Sequence, residues 1–328
     1  MPPRFYTLSP ALAGIPRIDA LMGGAVGFGL PLFPDRDAAM LGWGRRASRR
    51  WAARYAALRG TACLGLEDGF LRSIGLGKDY PPLSLVVDDL GIYLDASVPS
   101  RLEALVGAAR LDDGEASRAR NLVRLWRAGR LSKYNHTPEW SGPDPVPEQV
   151  VLVVDQTFGD DSIRYGLANE RSFQAMLDAA IDENPGREIW LKVHPEVFAG
   201  RKRGHFESLT AGQRGRVRIL GSDVHPPSLL ERAETVYVVT SQMGFEALLW
   251  GARVRTFGMP FYAGWGLTGD DLRAPSRRRP ANLEALVYAA LVGYPRYLDP
   301  ETGQRCEAER VMEYLARYRR GMQWPVPA

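Results

Sequence analysis

Cysteines, histidines and long apolar runs are scarce in this sequence. Its 328 residues include two cysteines, Cys63 and Cys306, and four histidines, so the sequence contains no recognisable disulfide framework or zinc-ligand spacing. Two isolated thiols are typical of a reducing compartment, and we expect a cytoplasmic protein. No apolar run approaches the roughly 20 residues that cross a bilayer. The Pro-interrupted N-terminus does not resemble a signal peptide.

The charge balance is mildly basic. Lys and Arg number 42 against 38 Asp and Glu, which gives a net charge of +4. This excess is not a nucleic-acid-binding signature, and we expect no nucleic acid among the partners. Arginines nevertheless cluster at 45–50 and 277–279. Such clusters form either a solvated face or a surface for phosphates, acidic sugars or an anionic leaflet.

Strands alternate with helices in the second half of the chain. The runs VVLVVDQ, REIWLKVH, RVRIL, TVYVVT and RVRTFG predict buried strands, and this alternation is typical of a doubly wound parallel sheet. In the first half, a strand at 38–44, an Arg-rich helix and the strand TACLGLEDG form a strand–helix–strand unit. The Pro-rich stretch TPEWSGPDPVPE predicts a linker. We therefore place two α/β domains at 1–149 and 150–328, and the terminal helices can pack back on the first domain.

The second predicted strand of the second domain ends in a basic motif. Ligands of parallel sheets bind beyond the carboxyl ends of the strands. Lys192 and His194 lie two residues apart, so they face the same side of the sheet, and Pro195 follows. Together they suit a phosphate or the cytosine–ribose part of a nucleotide, and a strand end capped by a histidine is the alternative. We expect the other histidines, in polar or Pro-rich stretches, to lie on the surface.

Two further strand ends carry polar residues. Ser241 and Gln242 begin a helix, where free N–H groups bind anions, although capping alone explains a serine there. Glu246, on the first turn, suits ribose hydroxyls or simply complements the helix dipole. The loop after the first strand carries acidic and amide side chains, and a loop carboxylate can act as a nucleophile, a base, a metal ligand or a helix cap. These loop residues are Asp155, Gln156, Asp160 and Asp161.

An acidic pair ends a strand of the first domain. We expect Glu67 and Asp68, with Arg72 nearby, to face the cleft between the domains. Paired carboxyls opposite another carboxylate supply the acid/base and the nucleophile of glycosyl transfer. Asp88 and Asp89 are candidates for the same wall. The segment FGMPFYAGWGLT alternates aromatics with glycines, which predicts either a platform for a sugar or base, or core packing.

Several long motifs occur in a fixed order: LEDGFLRSIGLG, PPLSLVVDDLGIYLDAS, LSKYN, VLVVDQTFGDDS, WLKVHPEV, VVTSQMGFEALLWG and FGMPFYAGWGLT. Their combination resembles the capsule polysaccharide β-Kdo transferases of Gram-negative bacteria (KpsC type). Kdo is a keto-deoxy-octulosonic acid. Enzymes of this family usually carry two catalytic modules in tandem, and this chain resembles the N-terminal one, either truncated or self-sufficient. The resemblance implies a GT-B-like fold, in which two Rossmann-type domains face a cleft.

The implied reaction is a retaining transfer of Kdo from CMP-β-Kdo to a Kdo-terminated acceptor on a phosphatidylglycerol-type lipid. No metal or other cofactor is implied. Peripheral contact with the inner membrane and with other capsule-assembly proteins is expected. A likeness to the CMP-sialic acid transferases extends to the nucleotide-binding residues and to their acidic-acidic-Gly motif. The matching positions here are His194, Pro195, Ser241 and Gln242, with support for Lys192 and Glu246, and Glu67, Asp68 and Gly69.

The resemblance also assigns roles. Asp160 is the expected nucleophile of a covalent Kdo adduct, Glu67 the base for the acceptor hydroxyl, and Arg72 a ligand of the Kdo carboxylate. Asp155 remains an alternative nucleophile or an orienting residue, and Asp68 an alternative base. Two other functions stay open. One is a transferase for another nucleotide sugar, and the other is a non-catalytic module that binds CMP-sugars or glycans.

Overall fold

The computed structural model describes residues 4–321 except 33, 36, 78, 141–148, 194–196, 198–202, 207–208 and 222. The chain divides into two compact units. The first lies within Met1–Tyr93, Val98–Asn135 and Val287–Ala328, and the second within Leu94–Ser97 and His136–Leu286. The sequence analysis placed one boundary between residues 149 and 150. In the structure, the segment within Val287–Ala328 belongs to the first unit.

The strands of the described residues are short, and most of their side chains are buried or half-buried. In chain order they are β1 (Phe5–Thr7), β2 (Val26–Phe28), β3 (Ala39–Trp43), β4 (Ala62–Asp68), β5 (Ser84–Asp88), β6 (Val150–Val154), β7 (Ile189–Lys192), β8 (Val217–Leu220), β9 (Ala233–Val238), β10 (Arg253–Thr256), β11 (Gly269–Asp270), β12 (Pro295–Leu298) and β13 (Arg305–Cys306).

The helices connect these strands, and several carry well-formed caps. The described helices are α1 (Pro10–Ala13), α2 (Ile18–Met22), α3 (Ala47–Arg59), α4 (Arg101–Ala108), α5 (Asp113–Ala128), α6 (Asp161–Tyr165), α7 (Glu170–Glu183), α8 (Ala211–Arg214), α9 (Pro226–Leu230), α10 (Met243–Trp250), α11 (Leu283–Tyr288), which continues as a π-helical turn (Ala289–Gly293), and α12 (Ala308–Arg319).

The sheet of the first unit is mixed. Its described strands follow the order β13-β12-β5-β4-β3-β1-β2. Strands β1 to β4 pair in parallel, whereas β5 is antiparallel to both β4 and β12. The predicted strand–helix–strand unit is β3-α3-β4. Its last strand ends with Glu67 and Asp68, opposite Val86 and Leu85 of β5, so the acidic pair lies at a strand end as expected.

The sheet of the second unit is parallel throughout the described pairs. Its order is β11-β10-β9-β6-β7-β8. Strand β6 at its centre is buried along its full length, and its Val151 and Val153 pack with Phe173 and Leu177 of α7. The five apolar runs therefore form the predicted strands. The α/β class with two Rossmann-type units is confirmed.

Helix α3 packs tightly on β3 and β4. Ala52 and Ala56 face the sheet and are buried with Met40. Arg49 lies over Gly42 and Gly65. A Cβ on Gly42 would lie 2.5 Å from the Arg49 Cα, so the helix can approach the strand this closely only at a glycine. The Arg49 guanidinium donates to the carbonyl of Gly44 at 3.2 Å. Unlike a residue of a solvated face, this arginine of the 45–50 cluster therefore packs its side chain against the sheet.

The C-terminal segment is fastened to the first unit through Asp88. This fully buried carboxylate accepts hydrogen bonds from the backbone N–H groups of Leu90, Gly91 and Arg101, at 2.8, 2.7 and 3.0 Å. The Tyr294 hydroxyl donates a fourth bond at 2.8 Å. The interpretation of Asp88 as part of a substrate-facing wall is therefore wrong. The oxygens are used to close a turn and to hold the returning chain.

We expect Tyr294→Phe to destabilise the fold more than Tyr297→Phe. Both hydroxyls are buried, but Tyr294 donates to a carboxylate and Tyr297 to the neutral carbonyl of Leu291 at 2.9 Å. A bond to a charged group contributes about 1.5–3 kcal/mol and a neutral one about 0.5–1.5 kcal/mol. Urea unfolding of both variants measures the difference. Equal losses would show that Asp88 does not anchor the C-terminal segment.

Candidate active site

Glu67 is the most strongly perturbed carboxyl group at the end of β4. Burial and, to a lesser extent, the charge of Asp68 raise its pKa to about 8, against the lowering effect of Lys133 and Arg46. Gly44, at φ +42°, provides the space, because a Cβ there would overlap Oε1 of Glu67. A carboxyl group that titrates near neutral pH is suited to exchange a proton with a substrate hydroxyl.

Lys133 is the main cation of this cluster, and the sequence analysis assigned it no role. Its carbonyl accepts from the N–H groups of Arg72 and Ser73 at 3.1 and 3.3 Å, which fixes the LSKYN segment beside β4. Burial alone would lower the pKa of Lys133. Electrostatic interactions with Tyr134, Tyr93, Asp68 and Glu67 outweigh burial and raise the pKa. The LSKYN motif was visible in the sequence, but its electrostatic influence on Glu67 was not.

Asp68 and Arg72 form an ion pair. Nε of Arg72 lies 3.0 Å from a carboxylate oxygen of Asp68, and Nη1 donates to the Ser73 hydroxyl and the Tyr80 carbonyl at 2.8 and 3.0 Å. The guanidinium also lies 5.6 Å from the centre of the Tyr134 ring. Because Arg72 already engages Asp68, the choice of base left open by the sequence favours Glu67.

Asp155, at the end of β6, is an internal structural carboxylate. It is buried and accepts hydrogen bonds from the backbone N–H groups of Gln156 and His205, at 2.8 and 3.3 Å. Nδ1 of His205 lies 3.3 Å from it, and the imidazole stacks on Phe173 at 3.6 Å. His205 was expected on the surface, and this prediction is wrong because Asp155 and Phe173 enclose it. This environment favours the orienting role for Asp155 over the nucleophilic one.

Gln156 joins three elements at the same sheet edge. Its amide nitrogen donates to the hydroxyls of Thr240 and Ser162 at 3.1 and 3.3 Å. Its amide oxygen accepts from the Thr240 N–H at 2.9 Å. The buried side chain therefore ties the ends of β6 and β9 to the start of α6. Its bonds within the protein fix the loop that carries the acidic residues.

Asp160 is exposed at the start of α6. Its side chain caps the helix by accepting from the Ser162 N–H at 2.8 Å, so the predicted capping role is present. The cap uses one carboxylate oxygen and holds the group in a fixed orientation at the carboxyl edge of the sheet. Asp160 thus combines exposure with orientation, which a nucleophile requires, whereas Asp155 is oriented but buried.

The ends of β7 and β9 bring Lys192 and helix α10 together. Burial lowers the pKa of Lys192, and the charges of Asp223 and Glu246 oppose this effect. Glu246 is almost fully buried, and the Gln242 amide donates to its Oε1 at 3.3 Å. The Ser241 hydroxyl accepts from the Met243 N–H at 3.3 Å, next to the helix start. A cation and a helix N-terminus at one edge form an environment suited to an anion.

Gly244 allows a close approach at the start of α10. A Cβ there would overlap the hydroxyl group of Tyr262, and that hydroxyl donates to the Ser241 carbonyl. The remaining nucleotide-site candidates, His194 and Pro195, lie outside the described residues. His225, expected on the surface, is fully buried and lies 3.3 Å from the Thr137 hydroxyl.

The glycine- and aromatic-rich segment is core rather than a platform. Phe257, Phe261, Tyr262 and Trp265 are all buried. Arg278 of the 277–279 cluster is buried below them and donates to the carbonyls of Pro260 and Ala263, at 2.6 and 2.9 Å. The platform interpretation is therefore wrong for these aromatics, because the turns of the segment direct their rings inward. Arg278 is a structural residue.

None of the described helices is long and apolar enough to span a bilayer. Among the described side chains, no group of three or more His, Cys, Asp or Glu residues has an arrangement that could hold a metal ion.

A family model described as "Capsule polysaccharide biosynthesis protein" matches residues 38–139 and 125–297. The chain belongs to the capsule polysaccharide biosynthesis family. It is 45% identical over 294 residues to the capsule polysaccharide modification protein LipA of Neisseria meningitidis serogroup A, covering 86% of this chain and 42% of LipA. It is 37% identical over 290 residues to the lipopolysaccharide-processing protein LpsZ of Rhizobium meliloti, covering 87% of this chain and 65% of LpsZ. This family member thus spans less than half of LipA and about two thirds of LpsZ.

Two solved structures resemble the chain over both units. The Thermosulfurimonas dismutans protein named "KpsC, beta Kdo 2,4 transferase" has a TM-score of 0.87 and 40% identity, and the match covers 95% of this chain and 98% of that one. The "beta Kdo 2,7 transferase" of the same organism has a TM-score of 0.71 and 28% identity, with 97% and 99% coverage. The resemblance to KpsC-type proteins is therefore confirmed.

We expect Gly44→Ala to destabilise the protein more than Gly60→Ala. Both glycines have positive φ, but a Cβ on Gly60 would meet nothing within 4 Å, whereas one on Gly44 would overlap the Glu67 carboxyl group. The left-handed backbone costs about 1–2 kcal/mol at either site, and the overlap adds about 1–3 kcal/mol. Chemical denaturation measures both losses. Similar values would show that the Glu67 carboxyl group moves away from Gly44 at little cost.

Proposed function

We propose that this protein is a retaining β-Kdo transferase, which moves Kdo from CMP-β-Kdo to a Kdo-terminated, lipid-linked acceptor in capsule linker synthesis. The observation that carries the proposal is its likeness to the KpsC protein named a β-Kdo 2,4 transferase, at 40% identity and a TM-score of 0.87 over 95% of this chain. The acidic cluster around Glu67 and the oriented, exposed Asp160 supply the chemical groups that such a transfer needs.

In the first step, a carboxylate oxygen of Asp160 attacks the anomeric carbon of Kdo. The bond from this carbon to the phosphate oxygen breaks, and CMP leaves with the electron pair. The Asp160 side chain suits this role because it is exposed and its cap to the Ser162 N–H limits its rotation. The product is a glycosyl ester with inverted configuration, which is the usual first half of a retaining transfer.

In the second step, an acceptor hydroxyl attacks the same carbon and Asp160 leaves as a carboxylate. Glu67 takes the hydroxyl proton, and the second inversion restores the β configuration. With a pKa of about 8, the Glu67 carboxylate holds the accepted proton well at neutral pH. Lys133 and Arg46 stabilise the ionised form that must be present before the proton is taken.

The donor nucleotide is assigned to the edge formed by β7 and α10. Lys192 and the N–H groups near Ser241 would stabilise the departing phosphate, because both present positive charge to it. Glu246 and Gln242 would accept or donate hydrogen bonds at the ribose. His194 and Pro195 complete the site in this proposal. A CMP leaving group stabilised in this way needs no metal, and we propose a metal-independent reaction.

Three residues are assigned supporting roles. Asp155 and Gln156 fix the loop that presents Asp160, as their internal hydrogen bonds suggest. Arg72 is proposed to bind the Kdo carboxylate through the part of its guanidinium not engaged by Asp68, Ser73 and Tyr80.

The reaction is proposed to take place at the cytoplasmic face of the inner membrane, where a lipid-linked acceptor is reached.

We expect Asp160→Asn to abolish transfer and Glu67→Gln to accumulate the covalent adduct. The first displacement needs the Asp160 carboxylate, whereas only the second needs a base, so the two variants stop at different stages. Losing the nucleophile should reduce turnover about a thousandfold or more. Intact-protein mass spectrometry with CMP-β-Kdo generated in situ and a Kdo-terminated acceptor measures product and adduct together.

Asp161→Asn is the matched control for this experiment. Asp161 is the neighbouring exposed carboxylate on the first turn of α6. Asp161→Asn therefore removes the same negative charge at the same place but leaves the proposed nucleophile intact. Turnover retained by Asp160→Asn would refute Asp160 as the nucleophile. If the wild-type protein turns over another nucleotide sugar and not CMP-β-Kdo, the donor assignment fails. Binding of CMP-sugar with no turnover of any donor would favour a non-catalytic module.

We expect kcat/KM for the acceptor to rise with pH and level off above about pH 8, because the base of the second step must be ionised and the pKa of Glu67 is about 8. Lys133 lowers this pKa, so Lys133→Met should move the rise to higher pH and reduce the rate at neutral pH. Lys133→Arg keeps the cation and should leave the profile in place. A profile unchanged by Lys133→Met would exclude Glu67 as the titrating base.

A further inference from the structure

Helix α3 presents an exposed apolar stripe to solvent. Ala52 and Ala56 are buried against the sheet, while Trp51 and Leu58 on the opposite side are 59% and 80% exposed. Arg54 lies between them on the same stripe, because residues three and four apart share a helix face. A cluster of exposed large apolar side chains is typical of an interaction surface, whereas single exposed apolar residues are common on any protein.

A neighbouring loop extends this stripe. The Tyr55 hydroxyl of α3 donates to the carbonyl of Pro31, which holds the segment after β2 beside the helix. In that segment Leu32 is 75% exposed, and Leu30 is also exposed. We call this combined surface the α3 face. It consists of Leu30, Leu32, Arg50, Trp51, Arg54, Leu58 and Arg59.

The charge of the α3 face has one sign. Helix α3 contains four arginines and no acidic residue. Arg49 is directed onto the sheet, which leaves Arg50, Arg54 and Arg59 on the outside. The guanidinium of Arg54 lies 5.1 Å from the centre of the Trp51 ring. Arginines beside an exposed tryptophan and leucines are typical of helices that lie in the headgroup region of anionic membranes.

We propose that the α3 face docks this protein on an anionic lipid bilayer. Trp51, Leu58 and Leu32 enter the headgroup region, and the outer arginines bind lipid phosphates. Charge complementarity selects this occupant, because a second copy of the same face would bring arginines against arginines, which is unfavourable. The proposal does not depend on the sugar that the protein transfers. A chain without Kdo transferase activity would still bind the bilayer.

Vesicle binding of the 328-residue chain tests this proposal. We expect it to sediment with vesicles of phosphatidylcholine and phosphatidylglycerol in equal parts, and far less with phosphatidylcholine alone. The double variant Arg50→Glu with Arg54→Glu should weaken binding at least about tenfold, since each arginine near an anionic surface contributes several-fold to binding. Added salt should weaken wild-type binding as well.

Arg120→Glu with Arg124→Glu is the matched control. These arginines are exposed on α5 of the same unit, with the same spacing and the same change of charge. The control should bind as the wild type does, and circular dichroism should show both double variants folded. Equal loss in the two variants would overturn the proposal, because it would leave only a non-specific effect of net charge.

Tryptophan emission provides a second readout. Vesicles should shift the emission of the wild type to shorter wavelength, and the shift should be absent in Trp51→Phe. A shift that persists in Trp51→Phe would overturn the proposal, because Trp51 would not enter the lipid. Analytical ultracentrifugation without lipid tests whether the α3 face instead binds a second copy of the chain. A dimer that Trp51→Ser dissociates would assign the face to a second copy instead.

Discussion

Charged side chains at the carboxyl ends of the strands are held partly out of water, and each depends on an opposite charge or a donor from a distant segment. Glu67 and Asp68 rely on Lys133 and Arg72. In the second unit, Lys192 is close to Glu246 and Asp223, and Asp155 is held by His205. A charge buried without such a partner would cost several kcal/mol. The loops around the strand ends are therefore arranged to satisfy these groups.

This constraint separates supporting residues from candidates for chemistry. Asp155 and Gln156 are buried and fully occupied with bonds inside the protein, so they fix the loop rather than react. Asp160 is exposed and oriented by one cap. Glu67 has a pKa near neutrality because burial and the charge of Asp68 raise it more than Lys133 and Arg46 lower it. The candidates for chemistry, Asp160 and Glu67, are thus the carboxyl groups whose charge is not fully balanced by partners inside the protein.

Helix α3 shows how one element serves two surfaces. Its inner side packs so close to β3 that a Cβ on Gly42 would overlap the Arg49 backbone, and the Arg49 guanidinium lies over Gly65. Its outer side carries Trp51 and Leu58, which contribute nothing to the described core. The same small helix therefore stabilises the β3–β4 pair, next to Glu67, and presents the apolar and basic surface proposed to contact lipid.

Local signals were enough to predict the strands of the second unit and the α/β class, because apolar runs and the polar residues that follow them can be recognised without any tertiary contact. Which distant residues meet became visible only in the folded chain. The antiparallel pairing of β12 with β5, the bond from Tyr294 to Asp88, and the approach of His205 to Asp155 join residues about 50 to 200 positions apart. The same holds for Lys133 beside Glu67. Such contacts leave no periodic trace in the sequence, since they depend on how whole elements pack.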